Sequence, residues 1–248
     1  MEYRKLWISL VVVLVASFAV LGGVGYKTIN NAPPIPAQVA TTDGRVLFTG
    51  ETIRDGQNAW QSIGGQEMGS LFGHGSYVAP DWTADWLHRE SMFVLNQWAQ
   101  AAGAQSYSAL KPEVKAALQA RLQETMRTNT YNKATDSIVV SPERAAAFAE
   151  LEKYYADVFS NGRNEYAIQH GALTDPKKLH DMSTFFWWTS WAASTNRPNQ
   201  EVSYTQNWPH EELVGNRPTG AAVVWSVVSF VLLLAGIGGM VWYFASKE

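Results

Sequence analysis

The sequence holds 248 residues with eleven tryptophans, no cysteine and a formal net charge of −3. The absence of cysteine excludes disulfides, thiolate metal sites, iron–sulfur clusters and thioether-linked haem. The slight negative charge, with no lysine- or arginine-rich run, gives no footing for a nucleic-acid partner. So many tryptophans suit a chain with membrane-interface contacts or large aromatic packing surfaces.

Residues 6–26 form a stretch without a charge, and residues 221–245 form a second. Each reaches the ~20 apolar residues that a bilayer-crossing helix requires. The predicted organisation is a short cytoplasmic start (1–5), a transmembrane helix (6–26), an extracytoplasmic domain (27–218), a second transmembrane helix (219–245) and a cytoplasmic end (246–248). Arg4 and Lys5 before the first span and Lys247 after the second favour cytoplasmic ends under the positive-inside tendency. The first run is too long for the apolar part of a signal peptide, and no Ala-x-Ala site follows it closely. Neither span carries His, Asp, Glu, Lys or Arg, so both are expected to anchor rather than to ligate haem or relay protons.

Between the spans, a stiff proline-rich exit covers residues 30–36. Residues 44–53 are expected to form a small β-hairpin that turns at Thr49, Gly50 and Glu51. A short helix over 53–63 is stopped by Gly64 and Gly65. Residues 64–86 then hold five glycines, two tryptophans, a histidine and a proline. A mere linker would not carry such a mixture, so this segment is expected to dock against something.

Asp81 caps the next predicted helix, which carries Trp82, Trp86, Phe93 and Trp98 and ends at Gly103. Pro112 opens another, with Val114, Leu118, Leu122 and Met126 at four-residue steps. Ser141, Pro142 and Glu143 open a third, along which Phe148, Leu151, Tyr155 and Val158 run to Gly162. Asp175 and Pro176 open a fourth. It runs into residues 185–193 (FFWWTSWAA), which are apolar on every side and serve as buried core or as a membrane-surface segment. Residues 196–217 read as an irregular polar descent into the second span.

Five histidines are present: His74, His88, His170, His180 and His210. None forms a His-Glu-x-x-His or i, i+4 metal pattern, and neither a phosphate loop nor a nucleophile elbow is present. Glu143, Glu150 and Glu152 suit a solvated helix face, and Glu211 and Glu212 suit a solvated loop beside the membrane. The residues alone describe one helical, doubly anchored, extracytoplasmic domain with no active site of its own.

Residues 64–90 together with residues 185–216 resemble the N-terminal part of quinol-dependent nitric oxide reductase, and the resemblance spans essentially the whole chain. In that family a cytochrome c-like domain is fused to a catalytic part of the haem–copper oxidase type. The resemblance implies a mainly α fold: a degenerate cytochrome c-like domain, with a small β-hairpin, between two transmembrane helices in the inner membrane. In haem-carrying relatives a Cys-x-x-Cys-His site precedes a glycine-rich turn, a tyrosine and Ala-Pro. Tyr77, Ala79 and Pro80 match that tail, and the haem motif falls on Gly65, Met68 and Gly69, where both cysteines and the histidine are missing.

The resemblance therefore implies a domain without haem. It also implies calcium contacts at Gly75 (backbone carbonyl) and Tyr77, shared with haem propionates of the partner; no catalytic or cofactor-binding residue is assigned in this chain. The haems, the non-haem iron and the reduction of nitric oxide to nitrous oxide belong to a catalytic part expected beyond Glu248 or on a separate chain. The partners implied are that catalytic part and the lipid membrane, with no nucleic acid. Two other readings are a two-span sensor or ligand-binding ectodomain and an independent assembly factor.

Overall fold

The computed structural model describes residues 2–73, 79–207 and 209–247, and the chain divides into two units, Met1–Ile35 and Pro36–Glu248. The first unit is almost entirely α1 (Glu2–Asn30), whose apolar side chains are exposed along its length. At 1.5 Å per residue such a helix outspans the ~30 Å hydrocarbon layer of a bilayer. It is long and apolar enough to cross a membrane.

The second unit opens with the strands β1 (Gln38–Thr41) and β2 (Val46–Thr49), paired antiparallel. The hairpin exists, but its turn lies earlier than the sequence suggests. Gly44 (φ +84°) donates its N–H to Thr41 O, and Thr41 N–H donates to Arg45 O. Thr49 instead caps α2 (Gly50–Ser62), exchanging side-chain and backbone hydrogen bonds with Thr52 in a capping box. A threonine before Gly and Glu satisfies both a turn and a cap, and the helix takes it. Gly64, at φ +98°, follows the C-terminal end of α2.

Two further strands, β3 (Tyr131–Asn132) and β4 (Ser137–Val140), extend the hairpin to a sheet of order β2-β1-β4-β3. β1 and β4 run parallel, so residues about a hundred apart in sequence become neighbours. One face is core: Val39 and Ile138 are fully buried, and Phe48 packs on Phe148 and Trp187.

The remaining core is helical: α3 (Trp82–Ala101), α4 (Pro112–Arg127), α5 (Pro142–Asn161) and α6 (Pro176–Ser194). Each start has local chemistry. Asp81, Ser141 and Asp175 accept first-turn N–H groups, and Pro112, Pro142 and Pro176 occupy first-turn positions that need no donor. On α5, Phe148, Leu151, Tyr155 and Val158 are all buried. On α4 the buried part is its second half, Leu122 and Met126, while Val114 is exposed.

α6 is the central post. Phe186, Trp187 and Trp191 are at most 1 % exposed, so residues 185–193 are core and not a membrane-surface segment. α2 crosses it at Gly56, where a Cβ would stand 2.6 Å from Asp181 C and 2.8 Å from Phe185 Cβ. Only glycine permits that crossing. Between α3 and α5 a buried ion pair, Arg144 Nε to Glu90 Oε1 at 2.6 Å, is joined by Trp86 Nε1 donating to Glu90 Oε2.

The described residues between 196 and 217 are irregular but packed, which the polar sequence does not suggest. Arg127 donates to Gly215 O, Asn196 Oδ1 and Glu201 O. Asn216, 2 % exposed, donates to Ala193 O and Asn207 Oδ1. Four residues after Asn216 α7 (Gly220–Ala245) begins, capped by Thr219 and with none of its residues buried. It too is long and apolar enough to cross a membrane.

Candidate functional site

The described parts of the glycine–aromatic segment, residues 64–73 and 79–86, rest on an aromatic floor. After α2, residues Gly65–Met68 make one 3-10 turn, and Gly69 follows at φ +115°, ψ +170°. That backbone region is open only to glycine. It turns Met68 O toward Trp82, whose Nε1 donates to it at 2.8 Å. The indole lies directly against Gly69: a Cβ there would stand 2.5 Å from Trp82 Cε2 and 2.9 Å from Pro80 O.

Trp82 is fully buried and surrounded by rings. It stacks on Phe186 at 5.6 Å and meets Tyr155, Phe159 and Tyr166 at 6.0, 5.2 and 6.2 Å. One turn on, Trp86 stacks on Tyr155 at 5.1 Å. Beneath them the Tyr155 hydroxyl and Arg89 Nε both donate to Asp85 Oδ2 at 2.8 Å. Burial, reinforced by the Asp85 charge, pushes the Tyr155 phenol well above its ordinary value.

The feet of the loop are tied together. Ser70 N–H donates to Pro80 O, and Trp82 N–H donates to Ser70 O. The Asp81 carboxylate does the rest. Oδ1 accepts Ala84 N–H at the start of α3, while Oδ2 accepts Ser70 Oγ at 2.8 Å and Gly73 N–H at 2.6 Å. Phe72 N–H donates to Thr83 Oγ1, with Phe72 itself at φ +56°. Gly75 and Tyr77, the expected calcium contacts, lie outside the described residues, on the span between these two feet. Gly65, Met68 and Gly69 are brought together at the foot.

Of the other sequence candidates, Glu150 pairs with Lys153 on the surface, as a solvated face would. Glu143 accepts Trp98 Nε1, and Glu152 is hydrogen-bonded to His180 Nδ1 at 2.7 Å, so these two also brace neighbouring elements. Glu211 corrects its reading as a solvated carboxylate: it is 9 % exposed and bonded to His88 Nδ1 at 2.8 Å. Glu212 is exposed. His170 is exposed and lines a cleft of about 380 Å³ with Met68 and Glu67. Among the described residues no three His, Asp or Glu side chains converge on a metal position. The second duty of Asp81 and the seat of Trp82 under Gly69 carry no local sequence signal, because each depends on the chain returning to itself.

What the described residues present is two chain ends, 70–73 and 79–82, tied together above a buried aromatic floor. A mainly helical domain of this kind, flanked by two apolar helices, defines a membrane-associated cytochrome c-like module. The chain belongs to the NorB cytochrome c-like domain family of nitric oxide reductase, whose family model matches residues 36–210. No curated protein matches the chain.

Proposed function

We propose that the chain is the non-catalytic cytochrome c-like module of a quinol-dependent nitric oxide reductase, docking through the glycine–aromatic turn on the haem-bearing catalytic part. The whole enzyme would reduce two molecules of nitric oxide to nitrous oxide and water. The observation that carries this reading is the filled space at Gly69. Where haem-carrying relatives place the haem-ligating histidine, the Trp82 indole leaves no room for any side chain. With no cysteine in the chain, the residues present do not fit a covalently held haem. Electrons for the catalytic part would then come from membrane quinol without passing through this domain.

Calcium at the interface is part of the same proposal. Gly75 would offer its carbonyl and Tyr77 its phenolic oxygen, both ligand types that calcium accepts. The carboxylate nearest in the loop, Asp81, is already committed to Ser70, Gly73 and Ala84. The anionic ligands must therefore come from the partner, as propionates or carboxylates. When bound, the ion would supply positive charge between two oxygen-rich surfaces.

In the topology proposed, residues 6–26 and 219–245 cross the inner membrane. Residues 1–5 and 246–248 face the cytoplasm, and residues 27–218 lie on the periplasmic side.

The test is co-purification of the full chain with the haem-bearing part, with and without calcium chelation. Tyr77→Ala is expected to weaken the association at least about tenfold, the effect of losing ~1.4 kcal/mol. Tyr131→Ala, a partly exposed tyrosine on the sheet, should leave it unchanged. Equal effects of the two substitutions would remove the turn from the interface.

A further inference from the structure

Among the contacts that hold the segment leading into α7 to the domain, one pairs two side chains that can both ionise. Glu211 organises the segment. Its Oε1 accepts Leu213 N–H at 3.0 Å, its backbone O accepts Gly215 N–H at 2.8 Å, and its own N–H donates to Asn216 Oδ1 at 2.8 Å. Its Oε2 is bonded to His88 Nδ1 on α3 at 2.8 Å, a contact across 123 positions of sequence. The Glu211 side chain is 10 % exposed and that of His88 is 58 % exposed. The carboxylate is thus largely withdrawn from water, while its partner can exchange protons with solvent.

Only residues 217–219 separate the buried Asn216 from Gly220 at the start of α7. Three residues reach at most about 10 Å. Whatever fixes residues 209–216 therefore fixes how α7 leaves the domain.

We propose that the His88–Glu211 pair is a pH-sensitive latch that fastens residues 209–216 to α3 and so sets how firmly α7 is held to the domain. The other charged groups around it are accounted for. On α3, Asp85 is bonded to Arg89 Nε and to the Tyr155 hydroxyl, and Arg89 lies over the Tyr154 ring. On α4, Arg127 is spent on Gly215 O, Asn196 and Glu201 O. In the segment itself, Glu212 is exposed and its carbonyl accepts Gln119 Nε2, while His210 adjoins Glu211 in sequence and makes contacts of its own.

The direction follows from linkage. The hydrogen bond to Glu211 raises the His88 pKa above the ordinary imidazole value, against the opposing effect of burial. The latch is then fully closed below the unfolded imidazole value near 6.5 and loosens as pH rises through the higher folded value. Loss of the imidazolium leaves a carboxylate largely out of water with no cation beside it. The neutral ring can still donate one hydrogen bond, so the segment slackens and does not detach.

The experiment is amide exchange on the full chain in detergent, corrected for intrinsic rates, between about pH 6 and about pH 9 on either side of the imidazole range. Protection at Leu213 and Gly215 should fall about two- to fivefold relative to Trp82 N–H, the range expected of a partly exposed ion pair. The midpoint must coincide with the His88 ring titration followed by NMR in the same sample. His88→Gln keeps a donor but cannot ionise. Its side chain is half in solvent, so the core is not at risk, and its Leu213 and Gly215 protection should not vary with pH. Flat protection in the unsubstituted chain, a midpoint away from the His88 titration, or an unchanged pH response in His88→Gln would each overturn the latch.

Discussion

Replacing Gly69 with alanine tests the central packing decision of the domain. The native backbone at φ +115°, ψ +170° is one that an L-residue adopts only with strain of about 1–3 kcal/mol. The added methyl would also meet Trp82 Cε2 at 2.5 Å and Pro80 O at 2.9 Å, and neither can yield easily. Trp82 is fully buried among four rings. Moving its indole would break the Nε1 bond to Met68 O and strand a buried donor, at a cost of about 1–3 kcal/mol. Together these losses come to roughly 2–6 kcal/mol, a large share of a typical domain's ~5–15 kcal/mol. Gly103→Ala is the control. Gly103 also has positive φ, at +81°, but nothing lies within 4 Å of its Cβ position. It should show the backbone cost alone, about 1 kcal/mol. Denaturant unfolding of the full chain in detergent, followed by tryptophan fluorescence and near-UV dichroism, should separate the two variants by at least ~1 kcal/mol. If Gly69→Ala is no worse than Gly103→Ala, the indole is not wedged under the turn and the argument about the missing histidine fails.

Gly56→Ala should also destabilise, by about 1–3 kcal/mol, although alanine is ordinarily the better helix former. The clash with the α6 backbone at Asp181 is the reason, and thermal melting that rises on substitution would refute the close crossing. Arg144→Met alone should cost about 3–5 kcal/mol by leaving Glu90 buried without its cation. Adding Glu90→Gln should recover part of that loss in the unfolding midpoint, and strict additivity would show that the pair does not act as a unit.

The parts of the fold that were legible in sequence are those written by local chemistry. Asp81, Ser141 and Asp175 announce their helices because a short oxygen must meet orphan N–H groups one turn ahead. Gly103 and Gly162 stop theirs at positive φ. Thr49 misled because Thr-Gly-Glu suits a turn as well as a cap, and only the neighbouring sheet decides. β4 was invisible because β1, beside which it runs, lies about a hundred residues away, and β3, only two residues long, pairs with β4 alone. The same holds for Glu90 with Arg144 and for Glu211 with His88. A carboxylate in a polar run reads as solvated until a distant helix closes over it. Residues 185–193 stayed open between core and membrane surface because uniform apolarity has no facing, and the surrounding helices supply one. For the candidate site, the sequence indicated the segment and its glycines. It could not indicate that Trp82 occupies the space beneath Gly69.

The most direct test of the account is an optical difference spectrum, reduced minus oxidised, of the detergent-purified chain with haem supplied during expression, with quinol oxidation assayed on the same sample. A redox-silent docking module predicts no haem bands and no turnover from the chain alone. A stoichiometric haem spectrum would mean that histidines such as His170 or His180 ligate haem without covalent attachment. The domain would then be an electron carrier, and the sealed floor under Gly69 would not describe its working state.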